Sequence, residues 1–167
     1  MYFCSTTRWA VMDKKVTYSD CIKKMEYYCS YQERCHQEVV QKLRSCPLTN
    51  LEQDEIVVHL IAYNFLNEER FAKTFAISKF HQKKWGNIRI KNELKQRQVI
   101  DRLIQSALRD ISSEEYETTF EQLATKIWET ISERNAMKKF KKCCDYLLRK
   151  GWETDLVYAK IKSLSEK

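Results

Sequence analysis

The stretch SSEEYETTFEQLATKIWETI, residues 112–131, decides the fold. Ser112 and Glu115 have the S-x-x-E spacing of a capping box, in which hydroxyl and carboxylate each satisfy a backbone N–H orphaned at a helix start. Behind them Tyr116, Phe120, Leu123, Ile127 and Ile131 recur every three or four residues, the signature of one buried helix face. The same grammar runs outward in both directions. Ser30-x-x-Glu33 and Thr49-x-x-Glu52 repeat the box, and Asn67 precedes Glu68 and Glu69, a cap and two carboxylates at the positive end of a helix dipole. Ile56, Val57, Leu60 and Ile61 form a stripe, as do Phe71 with Phe75, and Ile100, Leu103, Ile104, Ala107 and Leu108. No useful length alternates with period two, so the prediction is an all-α chain of about nine helices, each of roughly 12 residues.

Glycine and proline support this by their scarcity. The 167 residues hold two glycines, Gly86 and Gly151, and one proline, Pro47. A dinucleotide fingerprint needs three glycines within six positions, and a Walker loop needs two ahead of a lysine. Both phosphate cradles are excluded, as are hairpin-rich β architectures that need glycine in their turns. The 43% hydrophobic content suffices for a core and is too high for disorder.

A longer register is also present. Leu43, Leu94 and Leu147 each stand four residues before a helix-ending position, Pro47, Gln98 and Gly151, and an apolar residue follows each time, Leu48, Val99 and Trp152. Further on, Val57, Leu108 and Ile161 correspond, as do Leu60, Ile111 and Leu164. The period exceeds that of tetratricopeptide, ankyrin and HEAT repeats. It predicts a tandem array of three three-helix repeats, 17–64, 65–111 and 112–167, after an N-terminal extension, 1–16.

Charge is unequally shared. Thirty Lys and Arg against 23 Asp and Glu give +7, and residues 65–111 alone carry 11 basic against five acidic side chains. The densest run holds Lys79, Lys83, Lys84, Arg89, Lys91, Lys95 and Arg97 with Glu93 as its one acid. It straddles a break at Lys84-Trp85-Gly86-Asn87, where Gly86 or Asn87 caps the next helix and Trp85 covers the junction. Lys91 and Lys95 are predicted to stack one turn apart on an exposed face. The plain reading is a solvated helix face; the functional one is an anion-binding surface for nucleic acid, anionic lipid or an acidic protein groove. A second run, Lys138, Lys139, Lys141 and Lys142, is offset by Glu129, Glu133 and Asp145.

Catalytic and metal readings find little support. The seven cysteines contain no C-x-x-C, and Cys21, Cys29, Cys35 and Cys46 match no common zinc spacing. Cys35 and His36 are neighbours that point about 100° apart on a helix. His59 and His81 have no carboxylate at a telling spacing, and the aromatics, Tyr27, Tyr28, Trp128 and Trp152, read as core. No cofactor is expected. Residues 1–15 lack the apolar core of a signal peptide, and the longest apolar stretch, 56–66, is too short to span a membrane. The expectation is a cytosolic monomer without membrane contact, with Met12 a candidate for the natural start.

The middle of the chain carries a resemblance. Phe65-Leu66-Asn67-Glu68-Glu69-Arg70-Phe71-Ala72-x-x-Phe75, then Lys79-Phe80 and Lys84-Trp85-Gly86-x-x-x-Ile90-x-x-x-Leu94, resembles the central signature of the bacterial regulatory RecX family. Tyr28-Cys29-Ser30 with Glu38 and Leu43 is similar to the family's first unit. The resemblance covers roughly 17–164. It implies a curved, elongated array of three-helix repeats. It also implies a non-enzymatic regulator that binds the RecA filament on DNA and restrains strand exchange, ATP hydrolysis and co-protease function. Some such proteins bind DNA themselves. Two positions depart from the pattern: Ile77 stands where relatives usually carry Arg, which removes one contact, and Gln98 stands where Gly is frequent, which weakens a helix stop. Two alternatives stay open: an independent DNA-binding module and a helical adaptor for another acidic protein.

Overall fold

In the computed structural model, which describes residues 17–166, the described residues form nine α-helices and no strand. They are α1 (Tyr18–Tyr31), α2 (His36–Leu43), α3 (Asn50–Ala62), α4 (Glu68–Lys83), α5 (Asn87–Gln96), α6 (Asp101–Arg109), α7 (Ser113–Thr130), α8 (Ala136–Lys150) and α9 (Thr154–Ser165). The extension 1–16 and the candidate start at Met12 lie outside the described residues. None of the nine helices is long and apolar enough to cross a membrane.

Caps explain most of the helix starts. Thr49 and Glu52 form the predicted box on α3, the Ser112 hydroxyl accepts from the Glu115 N–H, and Asn67 accepts from the Arg70 N–H. Thr17 with Asp20 forms a further box, and Asn135 caps α8. Ser30-x-x-Glu33 does not cap a helix. Ser30 lies inside α1, and Glu33 turns away to meet Arg70. The residue before α2 is Cys35, fully buried, which brings no cap hydrogen bond. An apolar plug between helix groups takes precedence there over a capped terminus.

The leucine register describes the core. Leu43, Leu94 and Leu147 are completely buried. The turns after the second and third of these share one hydrogen-bond pattern. Val99 N–H donates to Leu94 O and Gln98 N–H to Lys95 O; Trp152 N–H donates to Leu147 O and Gly151 N–H to Leu148 O. This arrangement needs a left-handed residue, supplied by Gln98 at φ 61° and Gly151 at φ 86°. Pro47 has no N–H to offer, so the first unit closes through Cys46 N–H on Leu43 O instead.

Helices α1–α3 enclose their own core around Met25, Leu43, Ile56 and Leu60. Helices α4–α9 share a second, larger one, in which Phe80, Phe120 and Trp152 meet and into which Cys35 reaches from the first group. Beside Cys35, polar links join the two groups. Arg70 bonds Glu33 at 2.6 Å and also the carbonyl oxygens of Asn64 and Phe65, while Arg97 lies 3.9 Å from Glu38.

Candidate anion-binding face

The basic run is built around the end of α4. Lys84 adopts a left-handed conformation, φ 51°, which stops the helix, and Gly86 becomes the N-cap of α5. A glycine has no capping side chain, so the orphan N–H groups of α5 find partners elsewhere. Gly86 N–H donates to Lys150 O at 2.9 Å and Ile88 N–H to Gly151 O at 3.1 Å. The negative end of α8 thereby meets the positive end of α5, a favourable opposition of helix dipoles. Asn87 N–H donates to the Tyr116 hydroxyl, which in turn donates to Glu153 at 2.8 Å. Burial pushes the Tyr116 phenol far above its ordinary value, and the Glu153 carboxylate adds to the rise.

The same junction gathers cations from distant parts of the chain. Lys150 Nζ donates to Lys83 O, and Arg89 Nη1 donates to Arg149 O. Arg89 stacks 4.1 Å from the centre of the Trp85 ring, Lys79 lies 5.2 Å from the Phe75 ring and 5.6 Å from Trp85, and Arg97 lies 4.9 Å from Phe75. Among the described residues, Lys79, Lys83, Lys84, Arg89, Arg149 and Lys150 form no ion pair with a carboxylate. Backbone carbonyls and ring faces position Lys79, Arg89, Arg149 and Lys150 without neutralising them.

The seven sequence-selected cations do not form one patch. Successive residues turn by about 100° on a helix, so Arg89 and Lys91 point about 200° apart. Arg89 goes to Trp85 and the end of α8. Lys91 goes to the opposite flank of α5, half-buried in a groove beside Gln105, Arg109 and Tyr116. Lys95 is exposed and paired with Asp101 at 3.1 Å, and Arg97 is held by Glu93 at 2.9 Å. Arg149 and Lys150 were not selected in the sequence because more than 50 residues separate them from the run.

Other candidate groups are occupied structurally. His59 meets Glu26 at 2.7 Å and His81 meets Glu115 at 3.3 Å, both partly exposed pairs. Cys143 and Cys144 are buried, and burial raises the Cys144 thiol to about 11. Trp152 is core, as expected, whereas Tyr27 is 72% exposed, a correction to its core reading. Lys142 pairs with Glu133, and Lys139 covers the Trp128 ring at 4.5 Å.

Fold and face define a class: an all-helical repeat protein with a cationic junction where the start of α5 meets the end of α8 at a glycine–glycine contact. Residues 67–108 match the family model of the RecX second three-helix domain. The regulatory protein RecX of Streptococcus uberis is 26% identical over 140 residues, which is 83% of this chain and 53% of that protein. RecX of Lactobacillus gasseri is 32% identical over 98 residues, 59% of this chain and 36% of that protein. The crystal structure of RecX from Lactobacillus salivarius superimposes with a TM-score of 0.76 at 25% identity, covering 90% of this chain and 97% of that one. The chain is similar to RecX proteins over most of its length, and residues 67–108 match the RecX second three-helix domain. It spans about half the length of the S. uberis relative, 53%.

Proposed function

We propose that this chain regulates the RecA recombinase filament on DNA, mainly as an inhibitor of its recombinase, ATPase and co-protease activities. In this reading it works without chemistry of its own, as a cytoplasmic monomer of three units, 17–64, 65–111 and 112–167. The contact residues are Lys79, Lys83, Lys84, Arg89, Lys91, Lys95 and Arg97. The observation that carries the reading is the group of cations around Phe75 and Trp85 that are positioned by carbonyls and rings and left without carboxylates. Such a surface attracts a polyanion from a distance and holds its backbone on contact.

The test is RecA ATP hydrolysis on single-stranded DNA with increasing amounts of the protein. Hydrolysis falls as the protein approaches the filament in stoichiometry; no change at excess rejects the reading. Reversing Lys79 and Arg89 to Glu together weakens the effect while leaving the helical signal intact.

Direct DNA binding is favoured as a second reading by one feature, the interleaving of the Phe75 and Trp85 rings with Lys79 and Arg89, which suits a nucleic-acid strand. Its mark is salt dependence, a slope in log K of about 0.9 per phosphate contact on duplex DNA. Binding absent at low salt, with RecA still responding, rejects it. A pull-down that recovers another acidic protein without RecA or DNA favours the adaptor instead.

A further inference from the structure

We propose that the groove between α5, α6 and α7 is a second, separate track for a nucleic-acid backbone, so that one chain holds two strands with α5 between them. This rests on the reading that the middle unit meets nucleic acid. The groove has a volume of about 560 Å³. Lys91 enters it from α5, and Gln105 and Arg109 from α6. Arg102, Gln105 and Arg109 follow one another at i, i+3 and i+7, so they stand in a row on one face of α6, and all three are exposed. The row is about 10 Å long at 1.5 Å per residue, the axial length of about three phosphates of one strand.

Its charges are free. Lys91, Arg102 and Arg109 form no ion pair among the described residues. The neighbouring acids are already engaged, Asp101 by Lys95 and Asp110 by Lys73 at 3.8 Å. Glu117 remains on the α7 wall, a single carboxylate against Lys91 and Arg109, the two cations that line the groove.

Independence from the first face follows from helix geometry. Arg89 and Lys91 leave α5 in opposite directions, and a helix with its side chains is about 10–12 Å thick. A strand of three or four nucleotides stacked near Trp85 therefore does not pass round α5 to Arg109. Each track takes its own strand, and the chain bridges them.

The experiment uses four-nucleotide single strands, too short to engage both flanks of α5 at once, half carrying a donor dye and half an acceptor, mixed with the full chain at low salt. Native mass spectrometry counts strands per chain. Two strands per chain and energy transfer between dyes are expected. Arg102→Glu with Arg109→Glu leaves one strand per chain and abolishes the transfer. Lys79→Glu with Arg89→Glu also leaves one, now held by the groove. Circular dichroism checks that each variant keeps its helices. One strand per wild-type chain at saturation, or two variant pairs that weaken the same single site, overturns the second track while the first face stands. A chain that binds no strand overturns both the track and the direct DNA contact it rests on.

Discussion

Gly86 and Gly151, the two glycines of the chain, touch each other. A Cβ placed on Gly86 falls 2.3 Å from the carbonyl oxygen of Gly151, and one placed on Gly151 falls 2.3 Å from the Cβ of Arg89. The contact lets Gly86 N–H reach Lys150 O, and it sets Arg89 beside Arg149, so the join between units also assembles the cationic face.

Gly86→Ala is expected to destabilise the chain by about 1–3 kcal/mol, because the clash is with backbone that cannot rotate away. Gly151→Ala adds the strain of a left-handed alanine. Since both changes break one contact, the double variant costs less than the sum. Urea unfolding of the three variants measures this; strict additivity shows that the contact is not shared.

Arg70 ties the first helix group to the second through Glu33 and the carbonyl oxygens of Asn64 and Phe65. Arg70→Ala is expected to cost about 1.5–3 kcal/mol, the range for hydrogen bonds to charged groups. Arg70→Lys recovers little, because a point charge cannot reach three acceptors with the geometry of a guanidinium fork. Full recovery by lysine in thermal unfolding refutes this account.

Gln98 occupies a left-handed position, φ 61°, in the turn that corresponds to Gly151 one unit later. A non-glycine residue pays about 1–2 kcal/mol there. Gln98→Gly is therefore expected to stabilise the protein by about 0.5–1 kcal/mol after the unfolded-state entropy of glycine is subtracted. A lower melting temperature for the variant contradicts the assignment of strain.

Burial raises the thiols of Cys29 and Cys144 to about 11 from 9.0. The folded state then holds these protons more tightly than the unfolded one. The stabilisation is complete below pH 9 and is lost as pH rises through 11. Denaturant midpoints should fall across this window, and Cys29→Ala with Cys144→Ala should flatten the slope. An unchanged slope places the alkaline loss on other groups.

Arg89→Glu is expected to weaken the binding of single-stranded DNA more than Lys95→Glu does. Arg89 carries an unpaired charge on the Trp85 ring, whereas Lys95 is already neutralised by Asp101. Fluorescence anisotropy at two salt concentrations decides it: equal losses place the contact on the α5 flank that bears Lys95.

Local sequence was enough for anything that depends on neighbours within a few residues. The Thr49 and Ser112 caps, the stripe from Tyr116 to Ile127, the buried Leu43, Leu94 and Leu147, and the concentration of charge in residues 65–111 are all read from spacing, because helix hydrogen bonds and helix faces are local. Local grammar also misled, at Ser30-x-x-Glu33, where the need to bury Cys35 displaced the helix start, at Tyr27, which is exposed, and at Lys91, which is half-buried.

What tertiary structure alone decided is which charges share a surface. A run of cations in sequence is divided by the rotation of α5 into two flanks, and each flank is completed from elsewhere, one by Arg149 and Lys150, the other by Arg109. The junction at Gly86 depends on a partner 65 positions away, at Gly151. No periodicity announces such a meeting, because it is set by how the larger core packs α5 against α8 and by the close approach that only a residue without a side chain allows.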